Sequence, residues 1–161
     1  FSRAFRNSAV VFIIIAAAGP FSWLLTTLGA IKELEEWLLG FAENPLLFAL
    51  VLVIFIYILG MIMDSAANII VVSPVIIEVM VKAGYPDVQA ALICVVGFLI
   101  GTVTPPLGIG YFTGAAIAKA SLESVAVAMV PYLIALFALL FLLVVVPEIS
   151  MWMPRQLGFV K

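Results

Sequence analysis

Residues 101–110 read GTVTPPLGIG, and they interrupt an apolar run that is otherwise continuous. From Val88 to Ala118 the chain carries no charged residue over 31 positions. A single helix of that length measures about 46 Å, against a hydrocarbon core of about 30 Å. Pro105 and Pro106 have no N–H to donate, and Pro105 disfavours a helical conformation at Thr104. Because an unsatisfied backbone group is costly inside a bilayer, a helix arriving from Val88 is expected to stop near Gly101–Val103. A second helix resumes at Ile109. Two readings fit this break: two half-helices joined by unwound chain at membrane depth, or a surface loop between two short spans. In the first, the carbonyls freed around Gly101–Thr104, with the hydroxyls of Thr102 and Thr104, suit a hard cation such as sodium. The amides near Gly108–Gly110 suit an anionic group.

Composition points the same way. Of 161 residues, 66% are hydrophobic and 10% charged, with a mean hydropathy of +1.36, so an all-α integral membrane protein is expected. The net charge of −2 gives no basic footprint for nucleic acid. There is no histidine, which removes the usual general base and zinc ligand, so an embedded enzyme is disfavoured. The one cysteine, Cys94, reads as a small residue packed between helices. The chain begins at Phe1 without a signal-peptide layout, and is read as a membrane domain over 1–161 that is a piece of a longer polypeptide, of about the length of one repeat where a membrane protein is built from two. No internal repeat is evident.

Outward from the break, the segments are expected as follows. A first span covers 1–31, with a kink at Gly19–Pro20; Arg3 and Arg6 before it suggest a cytoplasmic start. An interfacial amphipathic helix over 32–43 has Leu34, Trp37, Leu38 and Phe41 on one face, with a solvated face of Lys32, Glu33, Glu35 and Glu36. Asn44 and Pro45 open a second span, 44–63. A hairpin-like segment, 64–87, is short for a span and interrupted by Ser73–Pro74, so a re-entrant hairpin is expected there. The broken helix covers 88–119, the last span 125–147 and an interfacial tail 148–161. Ala90, Cys94, Gly97 and Gly101 form one small-residue face, and Gly110 with Gly114 repeats the small-xxx-small pattern.

Asp64 lies between two apolar stretches. It either caps the following segment or, with Ser65 and Asn68 within one turn, supplies oxygen ligands to a cation; an acid inside a membrane is a functional candidate by default.

The stretches GMIMDSAANIIVVSPVIIEVM, AGYPDVQAAL, GFLIGTVTPPLGIGYFTGAAIA and VPYLIALFALLFLLVVVPEIS together resemble the C-terminal half of the large membrane subunit of TRAP (tripartite ATP-independent periplasmic) transporters. The resemblance covers most of the chain from Gly60 onward. It implies an elevator-type secondary transporter of the bacterial inner membrane, multi-pass, with hairpins and an unwound helix around a midplane site. It also implies sodium coupling, and a periplasmic substrate-binding protein that delivers an organic carboxylate such as a C4-dicarboxylate or a sialic acid. A small membrane subunit, separate or fused, is expected alongside membrane lipid. Carried over by position, Asp64, Ser65 and Asn68 fall at a sodium site with Gly101, Thr102, Val103 and Thr104, the side-chain oxygens being those of Asp64, Thr102 and Thr104. Pro105, Pro106 and Gly108 shape the substrate side of the break. At Gly110 the chain departs from an asparagine frequent in the family, and no contact is assigned there. The rival readings are a scaffold subunit without transport and a passive channel.

Overall fold

The computed structural model describes residues 27–158 and, before them, isolated positions from Ala9 to Leu24. Most of the expected first span, with Gly19, Arg3 and Arg6, therefore lies outside the described residues, as do 159–161 of the tail.

Helix α1, Ala30–Leu39, buries Leu38 and, with the following Phe41, partly buries Leu34 and Leu39 against the core; of the stripe read from the sequence, Leu34, Leu38 and Phe41 face inward, while Trp37 is exposed. Trp37 packs edge-on to Phe41, with ring centroids 5.3 Å apart. Glu35, expected on the solvated face, instead meets Lys82 at 2.8 Å. Lys82 also holds Glu78 at 3.1 Å, the helical pair that the spacing allows.

Helix α2, Pro45–Ile62, is started by Asn44, whose side chain accepts from the amides of Leu46 and Leu47, with Pro45 in the first turn. It buries Phe48, Leu52, Ile56 and Gly60 along one face. Helix α3, Ser65–Lys82, is continuous, and this corrects the expectation of a hairpin-like segment within 64–87. Pro74 has no N–H for the carbonyl of Ile70, and in a straight helix its ring would strike that carbonyl. The chain avoids the clash with a π turn at Asn68–Val72, where the Ser73 amide bonds the Asn68 carbonyl. The reversal sits instead at Met63–Asp64. Asn68 Nδ2 reaches back to the carbonyls of Leu59 and Met63, at 3.0 and 3.3 Å. At the other end the ring of Tyr85 lies 5.7 Å from that of Phe48. So α2 and α3 run antiparallel, as the two arms of a helical hairpin.

Helix α4, Asp87–Thr102, packs against α2, α3 and the later helix Leu122–Val145. Ala90, Ile93, Cys94 and Phe98 are fully buried. The expected small-residue face is where α4 crosses α2: a Cβ on Gly97 would lie 2.4 Å from Ile56 Cγ2, and one on Gly101 would lie 2.4 Å from the Gly60 carbonyl carbon. Gly114, by contrast, has open space, so the second small-xxx-small pair makes no such crossing.

Helix α5, Ile109–Ala118, follows the break. It closes at Lys119, held at φ 52°, a left-handed conformation that costs a side-chain-bearing residue about 1 kcal/mol relative to glycine. Lys119→Gly should therefore raise the melting temperature by about 1–3 °C, read by thermal denaturation in detergent; a fall would show that the lysine charge on the helix C-terminus matters more.

Helix α6, Leu122–Val145, starts three residues before the expected 125. Ser121 caps the Ser124 amide, which draws Leu122 and Glu123 into the first turn. The expected tail contains a further helix, α7, Pro147–Gln156, with Ser150 and Met151 buried. Among the described residues three helices are long and apolar enough to cross a membrane: Pro45–Ile62, Ser65–Lys82 and Leu122–Val145.

Candidate functional site

Gly60 and Gly101 bring two chain breaks together. At this crossing the α2 and α4 backbones touch, so that even a methyl on Gly101 would sit 2.5 Å from Gly60 Cα and 2.8 Å from the Met61 amide nitrogen. The hairpin tip at Met63–Asp64 follows three residues after Gly60; the α4 break follows immediately after Gly101. Sequence reading placed Gly101 at the site and missed Gly60. The signal was present in GMIMD, a glycine four residues before an acid, but which helix it faced could not be read.

At the tip, Asp64 is exposed and its Oδ1 accepts the Ala66 amide at 3.0 Å. The capping role considered for it is therefore observed. One carboxylate oxygen is occupied by this bond and the other stays available. Ser65 is half-buried. Asn68 is fully buried, and while its Nδ2 binds two carbonyls its Oδ1 has no hydrogen-bond partner. An orphaned amide oxygen under the tip is an electronegative group that lacks a positive neighbour.

At the break, the helical donor for the Thr102 carbonyl would be Pro106, and for the Gly101 carbonyl Pro105; neither has an N–H. The Gly101 carbonyl instead takes the Thr104 amide at 3.0 Å, and the Gly108 amide returns to the Thr104 carbonyl at 2.9 Å. Only glycine fits at 108, since a Cβ there would lie 2.5 Å from the Thr102 oxygen and 2.6 Å from the Thr104 oxygen. The Thr102 hydroxyl donates to the Leu99 carbonyl at 2.7 Å and the buried Thr104 hydroxyl to Ile100 at 2.8 Å. Both hydroxyls thus spend their protons on the helix end and keep oxygen lone pairs free. Val103 carries the chain through a half-buried turn, and Pro105 and Pro106 precede the exposed Leu107. Beyond Gly108, the first helical bond of α5 is made by Phe112 to Gly108. The amides of Ile109, Gly110 and Tyr111 stand ahead of it at the positive end of the α5 dipole.

The tip and the break therefore supply an amide oxygen, hydroxyls, backbone carbonyls and one carboxylate. Among the described residues no three His, Cys, Asp or Glu side chains converge to hold a metal; the groups named at the tip and the break are oxygens, with the Asp64 carboxylate the one charge among them. That chemistry suits a hard cation of low charge.

The family described as "Tripartite ATP-independent periplasmic transporter, DctM component" matches residues 1–149. The chain belongs to this family. It is 29% identical, over 95% of its length, to the C4-dicarboxylate TRAP transporter large permease protein DctM of Pseudomonas aeruginosa. It is 27% identical, over 93%, to the isethionate TRAP transporter permease protein DctMQ of Oleidesulfovibrio alaskensis. The sialic acid TRAP transporter large permease protein SiaM of Vibrio cholerae is 23% identical over 93%. The TRAP chain described here spans 36%, 24% and 35% of these relatives' own lengths, respectively. The relatives are named as transporter permeases, in keeping with a non-enzymatic membrane role.

Proposed function

We propose that this chain is the C-terminal repeat of a sodium-coupled, elevator-type importer of an organic carboxylate in the bacterial inner membrane. Substrate would arrive on a periplasmic binding protein, and a small membrane subunit, separate or fused, would complete the permease. The observation that carries the reading is the Gly60–Gly101 contact, because it puts an unwound tip and an unwound break side by side. Their depth supports it. At 1.5 Å per residue, α2 extends about 27 Å from Pro45 and α4 about 24 Å from Asp87, so both interruptions fall at one level. Helix α5 then adds about 15 Å beyond them. On this reading α2 and α3 are the re-entrant hairpin, α4 and α5 the broken helix, and the polar groups lie within the hydrocarbon thickness, where irregular backbone lines ion and substrate sites. Sodium is assigned to the oxygens of Asp64, Ser65, Asn68 and Gly101–Thr104. The substrate carboxylate is assigned to the Pro105–Gly108 turn and the α5 N-terminus.

The DctM and SiaM relatives are named for C4-dicarboxylates and sialic acid, so these are the first substrates to test. The test is uptake of labelled substrate into proteoliposomes holding the complete permease, with and without a sodium gradient and the binding protein. Uptake that needs both supports the proposal. Flux that ignores the gradient points to a channel, and no flux with any carboxylate returns the scaffold reading.

Asp64→Asn isolates the charge, because asparagine caps a helix as well as aspartate. Stability should change by less than about 0.5 kcal/mol. The sodium concentration for half-maximal uptake should rise about tenfold, the ~1.4 kcal/mol expected of a partly solvated charge near a cation. An unchanged sodium dependence would remove Asp64 from the site.

A further inference from the structure

Gln89 is a fully buried polar side chain in the first turn of an apolar helix, and neither the tip nor the break uses it. Its Nε2 donates across to α6, to the carbonyl of Leu143 at 2.9 Å and that of Val144 at 3.3 Å. Those two carbonyls lack helical donors for a local reason. The residue four beyond Leu143 is Pro147, which has no N–H. Val146 is extended at φ −115° and ψ 94°, which turns the chain away before Glu148 can serve Val144. Gln89 therefore supplies from another helix the donors that Pro147 and the extended Val146 withhold. Its own Oε1 has no partner, so the side chain is placed by what it donates rather than by what it accepts.

We infer that Gln89 is a positioning residue: by capping α6 it fixes the α6–α7 corner to the start of α4 and so sets where the far end of α4 presents Gly101–Thr104. Helix α4 is held at two points about 18 Å apart along its axis. One is the Gly60–Gly101 backbone contact; the other is the pair of bonds from Gln89. Apolar packing along α2, α3 and α6 holds the rod between these points, but it is not directional. With Gln89 removed, the glycine contact is the remaining specific anchor for the break.

The functional half of this inference rests on the transport reading, so the test has one arm that does not. In the complete permease, with Cys94→Ala as background, spin labels go on the exposed positions Leu99 and Trp152. Gln89→Met keeps side-chain length and removes both donors. The expected result is a broader Leu99–Trp152 distance distribution and a rise of about threefold in the sodium concentration for half-maximal uptake, the loss typical of one or two neutral hydrogen bonds. Adding Pro147→Ala gives Leu143 a helical donor of its own but restores no bond between α4 and α6, so the distribution should stay broad. If Gln89→Met alone fails to assemble, the distribution of the double variant decides, and continued failure overturns the inference. An unchanged distribution also overturns it, as does a double variant that narrows to the native width, which would make Gln89 only a cap for α6. A broadened distribution with unchanged sodium dependence overturns the functional half and leaves Gln89 a structural cap. A native permease without sodium-dependent uptake sinks the transport reading while the distance arm still decides this one.

Discussion

Gly101→Ala should eliminate uptake and markedly lower the melting temperature of the permease. The added methyl would lie 2.4 Å from the Gly60 carbonyl carbon, 2.5 Å from its Cα and 2.8 Å from the Met61 nitrogen. All three are backbone atoms, so no rotamer change relieves the clash. The α2 and α4 axes must separate by about 1 Å to restore ordinary van der Waals contact, and overpacking of this kind costs about 1–3 kcal/mol. Separation also pulls the tip away from the break, so function should fall further than stability. Gly114→Ala is the control. It lies in open space within α5, and alanine there should be neutral or stabilising by up to about 1 kcal/mol. Thermal melts and uptake assays on both variants decide the matter: if Gly101→Ala behaves like Gly114→Ala, the backbone contact does not organise the site.

The double substitution Pro105→Ala with Pro106→Ala should also abolish uptake, by the opposite route. It restores N–H donors for the Gly101 and Thr102 carbonyls, so α4 can continue through the break toward α5. Helicity by circular dichroism should hold or rise while transport is lost. The carbonyls that the break exposes would be consumed by helical bonds, and Gly108 would no longer fold back over Thr102 and Thr104. Normal uptake in this variant would refute the argument that the unwound segment is functional.

Much of this architecture could be read from local chemistry. Asn44–Pro45 marks a helix start because it satisfies orphan amides and supplies a preset φ. Pro105–Pro106 marks a helix end because two consecutive donors are missing. The small face of Gly97 and Gly101 announced a close crossing. Local reading went astray at Ser73–Pro74, where a proline that usually ends a helix was absorbed by one π turn, and at Ser121, whose cap starts α6 early. Gln89 gave no signal, because a lone glutamine two residues after Asp87 looks like part of an aqueous boundary.

The sequence by itself determined that the chain is helical, membrane-embedded and interrupted at Gly101–Gly108, since those properties follow from charge-free runs and from backbone donors that proline cannot supply. Which surfaces meet was decided by the tertiary structure alone. Along α2 the exposed Leu50, Ile54 and Ile58 are as apolar as the buried Leu52, Val53 and Ile56. In a soluble helix one face would be polar and the other would name the core. Here lipid and protein demand similar side chains, so the contrast that identifies a partner disappears. The pairing of Gly60 with Gly101, and of Gln89 with the end of α6, then depends on backbone proximity and on single buried hydrogen bonds, which exist only once the helices are packed.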